Sequence, residues 1–113
     1  MHRILIVEDE EIIRSALSKL LKHSGYTVAV ADSVEAALAG DELASFDLII
    51  SDLRLPGEAG TSLIGHAPGV PVLIMTSYAS LRSAVDSMRK GAVEYIAKPF
   101  DHDEMLTAVE NIL

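Results

Sequence analysis

The sequence predicts one α/β domain in which a five-stranded parallel sheet lies between helices. Two observations support this class. Short apolar runs of strand length alternate along the chain with longer segments whose apolar residues recur at helical spacing. The 113 residues, of which 50% are hydrophobic, are also enough for one domain with a sizeable core. Strict alternation of strand and helix predicts a parallel sheet with helices on both faces. We expect the connections between its strands to be right-handed crossovers.

Apolar spacing and a glycine cap define the first elements. Residues 3–7 are a continuous apolar run and predict the first strand. Residues 10–23 repeat apolar side chains on one helix face until Ser24-Gly25, where glycine adopts a left-handed cap conformation at low cost. Residues 26–30 then form the second strand.

A capping pattern opens the second helix. Asp32 with Glu35 three residues later resembles a capping box, and the helix is expected to continue to about Ala44. Residues 47–51 predict the third strand, which ends in a Pro56-Gly57 turn.

The second half repeats the alternation with one short helix. Only residues 61–67 are available for the third helix, so it can have about two turns. Residues 70–75 predict the fourth strand, residues 79–90 the fourth helix and residues 92–97 the fifth strand. Asp101 then caps a last helix that runs to about residue 112.

Composition excludes several classes of function. Seventeen acidic against nine basic residues give a formal net charge of −8, which opposes binding of this domain to nucleic acid. The absence of cysteine excludes thiol catalysis and thiolate metal sites. There is no signal-peptide pattern and no apolar run long enough for a membrane span, so we expect a cytoplasmic protein without membrane contact. The histidines His2, His23, His66 and His102 lack ligand spacing and are predicted to lie on the surface.

Polar residues stand at the end of four of the five predicted strands. They are Glu8-Asp9, Asp52, Thr76 and Lys98. Because the carboxyl ends of parallel strands meet at one edge, these side chains should gather there. Carboxylate oxygens suit Mg²⁺, an ionised aspartate can attack phosphorus, and an ammonium group can neutralise phosphoryl oxygens. The neighbouring Glu10 and Glu11 are better explained by the positive N-terminus of the first helix.

The order of these residues resembles that of the receiver domains of two-component response regulators. The motifs are Glu8-Asp9-Glu10, Asp52-Leu53-Arg54-Leu55-Pro56-Gly57, Thr76-Ser77, Tyr95 and Lys98-Pro99-Phe100. The resemblance runs from Arg3 to Leu113, so residues 1–113 are expected to be one receiver domain. It implies a flavodoxin-like three-layer sandwich with strand order 2-1-3-4-5.

The resemblance also implies a chemical role for the strand ends. Asp52 would accept a phosphoryl group from a phosphohistidine on a sensor histidine kinase or phosphotransfer protein, or from a small acyl phosphate. Mg²⁺ would be held by Glu8, Asp9, Asp52 and the backbone carbonyl of Arg54. Lys98 would contact the site, and receivers of this kind carry a cis bond between this lysine and the following proline. The domain would modify only itself, on Asp52, rather than act as an enzyme.

The same resemblance implies how the signal leaves the site. The Thr76 hydroxyl would turn toward the phosphoryl oxygens, and Tyr95 would move inward. The face formed by the fourth helix, fifth strand and fifth helix would then change. That face would control a partner, an output domain with a transcriptional role, or a homodimer.

Two departures from the family pattern leave alternatives open. Receivers commonly have aspartate where Glu8 stands, and the third helix is short. Glu8 motivates one alternative, a degenerate receiver that serves only as a constitutive protein-interaction module. A Mg²⁺-dependent phosphohydrolase is another, although enzymes resembling the haloacid dehalogenase group carry a second aspartate where this chain has Arg54. Glycines are missing from the first strand-to-helix turn, which argues against a nucleotide-binding loop.

Overall fold

The computed structural model describes residues 2–113, which form a parallel sheet with helices on both faces. The strands are β1 (Arg3–Val7), β2 (Thr27–Ala31), β3 (Leu48–Asp52), β4 (Val72–Thr76) and β5 (Glu94–Ala97). The α-helices are α1 (Glu11–His23), α2 (Val34–Ala39), α3 (Ser62–His66), α4 (Leu81–Lys90) and α5 (His102–Ile112). A 3₁₀ turn, Leu43–Ser45, lies between α2 and β3. Strands and helices alternate in the predicted order.

The strand order is β2-β1-β3-β4-β5, and every pairing is parallel. This confirms the expected flavodoxin-like order. All five residues of β3 and of β4 are buried, whereas β2 is only partly covered at the edge. Because β3 and β4 are buried on both faces, their sequences are near-continuous apolar runs.

Two apolar cores lie on opposite faces of the sheet because successive strand residues point to opposite sides. On β1, Ile4 and Ile6 join the core formed with α1 and α5. Leu5 and Val7 join the other core, which includes residues of α2 and α3. This arrangement gives the three layers that the sequence predicted.

The predicted course of α2 was wrong at both ends. Its N-cap is Ser33, whose Oγ accepts a hydrogen bond from the Ala36 amide at 3.0 Å, rather than Asp32. The helix ends at Ala39 instead of about Ala44. Gly40 is a poor helix residue, and a turn beyond it buries Leu43 and Phe46 against the sheet.

Other boundaries agree more closely. Asp101 caps α5 as predicted, with its Oδ1 accepting from the Glu104 amide at 2.7 Å. Helix α4 begins at Leu81 rather than at residue 79, because the Ser80 Oγ caps it by accepting from the Ser83 amide at 3.1 Å. Helix α3 is short, as expected. Strand ends differ by one or two residues, since pairing with neighbours decides them.

All four histidines are exposed, as predicted. None of the helices formed by residues 2–113 combines the length and the apolar character that a transmembrane span requires.

Candidate functional site

The polar strand ends meet at the carboxyl edge of the sheet. Asp52 and Thr76 are the last residues of β3 and β4, Glu8 directly follows β1, and Lys98 directly follows β5. In β-α-β folds this edge is where ligands bind, at the point where the strand order reverses. Here that point lies between β1 and β3, the strands that carry Glu8 and Asp52.

Lys98 joins the two acids in a buried ion-pair group. Its Nζ donates to Glu8 Oε1 at 2.6 Å and to Asp52 Oδ2 at 3.2 Å. The side chains of Lys98, Glu8 and Asp52 are only 4%, 0% and 8% exposed. The peptide bond between Lys98 and Pro99 is cis, as the family resemblance implied. Residues far apart in the sequence thus form one charged group that is almost free of solvent.

A third carboxylate completes the acidic cluster. Carboxylate oxygens of Glu8, Glu10 and Asp52 lie within 4.8 Å of one another. The Glu10 amide also donates to Glu8 Oε2 at 3.2 Å. The sequence predicts that Glu10 serves the positive N-terminus of α1. Glu10 is indeed the N-cap residue of α1, yet its side chain makes no capping hydrogen bond. Asp9 is exposed and lies outside this cluster, so its role as a metal ligand remains a prediction.

Burial dominates the electrostatics of Glu8. Burial of its carboxyl group and the charge of Asp52 raise the pKa of Glu8 from 4.5 to about 7, against hydrogen bonds from Lys98 and the Glu10 amide that lower it. For Lys98, burial alone lowers the pKa, but the Glu8 hydrogen bond and the two negative charges outweigh burial and raise it. The lysine is therefore charged, whereas ionisation of Glu8 is costly.

The donor set fits a hard divalent cation. Three carboxylates and one ammonium group carry a formal excess of two negative charges when all are ionised. Burial of the carboxyl group is the main cause of the raised pKa of Glu8, and the charge of Asp52 adds to it. Oxygen-rich, negatively charged sites of this kind suit Mg²⁺, and receiver domains bind Mg²⁺ at such an acidic pocket.

The backbone beside Asp52 is packed tightly against the following loop. The Gly60 amide donates to the Leu53 carbonyl at 2.9 Å, and the Ser51 Oγ donates to the Asp52 carbonyl at 2.9 Å. A Cβ at Gly60 would stand 2.6 Å from Ser51 Oγ and closer still to the Asp52 carbonyl oxygen. Glycine is required there because any side chain would displace the backbone that carries the candidate phosphoacceptor.

The two predicted switch residues occupy neighbouring strands. Thr76 is fully buried, and its Oγ1 accepts a hydrogen bond from the Tyr78 amide at 3.1 Å. Tyr95 is half-buried on β5 and its hydroxyl donates to Ser83 Oγ of α4 at 2.9 Å. Tyr95 therefore links β5 to α4. Sequence analysis did not identify Ser83, since a serine in an amphipathic helix gives no signal of a partner on another element.

Arg54 follows Asp52 by two residues. Its amide lies 3.4 Å from Asp52 Oδ1, a long hydrogen bond, and its guanidinium carbon lies 4.3 Å above the centre of the Tyr78 ring. The Arg54 carbonyl as a metal ligand remains a prediction. On the other side of the site, the Arg14 side chain donates to the Glu8 carbonyl at 2.8 Å and so fixes the loop between β1 and α1.

Comparison with known proteins gives a consistent result. The family model described as the response regulator receiver domain matches residues 4–110. The response regulator protein FleR of Pseudomonas aeruginosa is 40% identical over 111 residues, which cover 95% of this chain and 24% of FleR. The transcriptional regulatory protein ZraR of Escherichia coli is 36% identical over 97% of this chain and 26% of ZraR. The chain thus spans about a quarter of the length of these relatives.

Solved structures agree with the sequence relatives. A response regulator receiver domain protein from Clostridium thermocellum superposes with a TM-score of 0.89 at 28% identity, covering 99% of this chain and 94% of that one. The beryllofluoride-activated NtrC4 receiver domain dimer gives a TM-score of 0.90 at 30% identity, covering 99% and 96%. The fold and the arrangement of strands are therefore shared along nearly the whole chain.

Proposed function

The chain belongs to the family of response regulator receiver domains, and from that premise we propose that it is a signalling switch operated by phosphorylation of Asp52. Receiver domains are signalling switches rather than classical enzymes, and they interact with histidine kinases or other phosphodonors. The observation that carries the proposal is the buried contact of the Lys98 ammonium with the Asp52 carboxylate.

The transfer itself requires only displacement at phosphorus. A carboxylate oxygen of Asp52 attacks the phosphorus atom of a phosphohistidine, the P–N bond breaks, and its electron pair stays on the imidazole nitrogen. An acyl phosphate forms on Asp52. No general base is needed because the attacking carboxylate carries no proton. The contact of Lys98 Nζ with Asp52 Oδ2 at 3.2 Å supports a role for Lys98 in balancing charge on the phosphoryl oxygens.

Mg²⁺ is the proposed cofactor. Glu8, Glu10 and Asp52 offer clustered oxygens. The ligand set that the family resemblance implies is Glu8, Asp9, Asp52 and the backbone carbonyl of Arg54. When bound, the cation neutralises charge on the phosphoryl oxygens as they approach the carboxylates. The chain's own residues provide the nucleophile at Asp52 and the ammonium of Lys98, and both side chains are largely buried.

A groove beside the site is suited to docking of the phosphodonor. Ile12, Leu20, Pro99 and Phe100 line an apolar cavity of about 220 Å³ that also reaches Lys98. Ile12 is 86% exposed at its rim. A helical phosphohistidine protein that covers these side chains would bring its imidazole toward Asp52. We expect Ile12→Ser to slow phosphorylation by a kinase while leaving phosphorylation by acetyl phosphate unchanged; equal slowing of both would contradict this docking site.

Transmission is proposed to run through α4, β5 and α5. Thr76 would turn toward the phosphoryl oxygens, and movement of Tyr95 would break its bond to Ser83 and release α4. The exposed side of α4 carries apolar side chains that a partner or a second copy could cover; these are Leu81, Val85 and Met88. A coupling of typical size would change the population of the output state by about 5- to 150-fold.

Charge on this face favours a homodimer as one output. Helix α4 carries Arg82 and Arg89, and an acidic cavity of about 450 Å³ lies between β5 and α5, lined in part by Glu94, Asp101 and Glu104. In a two-fold dimer, the basic helix of one copy would face the acidic groove of the other. A transcriptional role, proposed from the relative named transcriptional regulatory protein ZraR, would require an output domain. Action in the cytoplasm, without nucleic acid or membrane contact by this domain, is part of the same proposal.

The second candidate, a constitutive interaction module, is favoured only by Glu8 at a position where aspartate is common. One experiment separates the two. The intact mass of the parent is measured after incubation with acetyl phosphate and Mg²⁺, with and without chelator, beside Asp52→Asn. Addition of one phosphoryl group to the parent with Mg²⁺ supports the switch. Absence of that addition, or equal addition to Asp52→Asn, contradicts it.

A further inference from the structure

A stacked contact joins the two loops that flank the Asp52 carboxylate. Arg54 lies in the loop after β3, and Tyr78 lies in the loop after β4. The guanidinium carbon stands 4.3 Å above the centre of the tyrosine ring, within the range of a cation–π interaction. Tyr78 is 64% exposed and belongs to neither apolar core, so the stack on Arg54 is a contact that can restrain its ring.

The same tyrosine holds the predicted switch residue through its backbone. The Tyr78 amide donates to Thr76 Oγ1 at 3.1 Å, and Thr76 itself is fully buried. If the Thr76 hydroxyl rotates away, this part-buried amide loses its acceptor and needs a new partner, which movement of the loop toward water would supply. Reorientation of Thr76 is therefore coupled to movement of the loop that carries Tyr78.

We propose that Arg54 and Tyr78 form a positioning pair that holds the Thr76 hydroxyl in its resting orientation and thereby sets how readily the domain responds to a phosphoryl group. This inference rests on the proposed function of Asp52 and Thr76. The stack ties the Tyr78 loop to the loop after Asp52, so a movement of the Tyr78 loop that accompanies Thr76 would break or shift the stack. A substitution that weakens the stack should therefore make it easier for the Thr76 hydroxyl to leave its resting orientation.

The expected size of the effect follows from the exposure of the contact. An exposed cation–π contact changes an equilibrium constant by about 2- to 5-fold. Tyr78→Ala and Arg54→Ala should each lower the beryllofluoride concentration that half-saturates the domain, in the presence of excess Mg²⁺, by about that factor. The double variant should shift no further than either single variant, because both remove the same contact.

Tyr78→Phe is the decisive comparison. Its ring preserves the stack and its amide preserves the bond to Thr76, so it should titrate like the parent. Lys19→Ala, at an exposed position of α1, controls for the loss of one positive charge. Titrations are followed by amide chemical shifts of α4. Equal titrations of Tyr78→Ala and Tyr78→Phe, or additive shifts in the double variant, would overturn the inference.

A second readout needs no metal. In the metal-free domain, hydrogen exchange at the Tyr78 amide should be about 2- to 5-fold faster in Arg54→Ala than in the parent, with Lys19→Ala unchanged. Equal exchange in Arg54→Ala and the parent would refute the positioning role. If the parent shows no response of α4 to beryllofluoride, the proposed function fails, whereas this exchange measurement still decides whether the stack holds Thr76.

Discussion

Substitution of Glu8 by glutamine should stabilise the metal-free domain at neutral and alkaline pH. Glu8 is fully buried, and its pKa rises from 4.5 in the unfolded chain to about 7 in the folded domain. Between these two values the folded state binds more protons than the unfolded state, so the free energy of unfolding falls as the pH rises. Below about pH 4.5 the group is neutral in both states and contributes no pH dependence.

The size of the effect follows from the pKa difference. A change from 4.5 to about 7, at about 1.4 kcal/mol for each pKa unit, gives a maximal cost of about 3 kcal/mol above pH 7. Glu8→Gln is neutral at every pH and should recover most of this free energy while still accepting a hydrogen bond from Lys98. The raised pKa of Lys98 adds no slope in this window, because its stabilisation is lost only as the pH rises above 10.5.

Urea unfolding in the presence of chelator measures the free energy of unfolding of the metal-free domain at each pH. The parent should lose stability from about pH 5 to about pH 8, whereas Glu8→Gln should show a flatter profile and exceed the parent at the higher pH. Glu10→Gln is the matched control, because its exposed carboxylate belongs to the same cluster. Parallel pH profiles for the parent and Glu8→Gln, or a less stable Glu8→Gln at about pH 8, would refute the electrostatic reasoning.

Three further predictions concern the backbone, the metal and the response. Gly60→Ala should lower the free energy of unfolding in urea by about 1–3 kcal/mol and slow phosphorylation, because the added Cβ collides with the Asp52 backbone. Gly65→Ala in α3 is the control, because its Cβ meets open space and the change should be neutral or stabilising. Equal effects of the two substitutions would contradict the packing at Gly60. Asp9→Ala should nearly abolish Mg²⁺ binding in a calorimetric titration, and unchanged affinity would remove Asp9 from the site. Thr76→Ala should still accept a phosphoryl group yet lose the chemical-shift response of α4; a retained response would exclude Thr76 as the reporter.

The sheet and the location of the site were predictable because one repeated pattern encodes both. The apolar runs that end at Asp52, Thr76 and Lys98 define parallel strands, and parallel strands bring their carboxyl ends together. The predicted edge position of β2 is likewise consistent with its lack of a polar end residue. Motif order supplied the strand order, which apolar spacing alone leaves open.

Local features that depend on tertiary packing were missed. Helix α2 ends early because burial of Leu43 and Phe46 outweighs the helical pattern. Glu10 joins the carboxylate cluster because the chain bends at Asp9 and the Glu10 amide bonds to the Glu8 side chain, a local geometry that the sequence alone does not predict. The requirement for glycine at position 60 depends on a backbone contact with Asp52 that only the folded loop reveals.

The most direct test of the central claim is to locate the phosphoryl group. The domain is incubated with acetyl phosphate and Mg²⁺, the acyl phosphate is reduced with borohydride, and the peptides are sequenced by mass spectrometry. Reduction converts a phosphorylated aspartate to homoserine, so the proposed function predicts homoserine at position 52 and its loss when chelator is present. An unmodified Asp52, or homoserine at another acidic residue, would contradict the assignment of Asp52 as the phosphoacceptor.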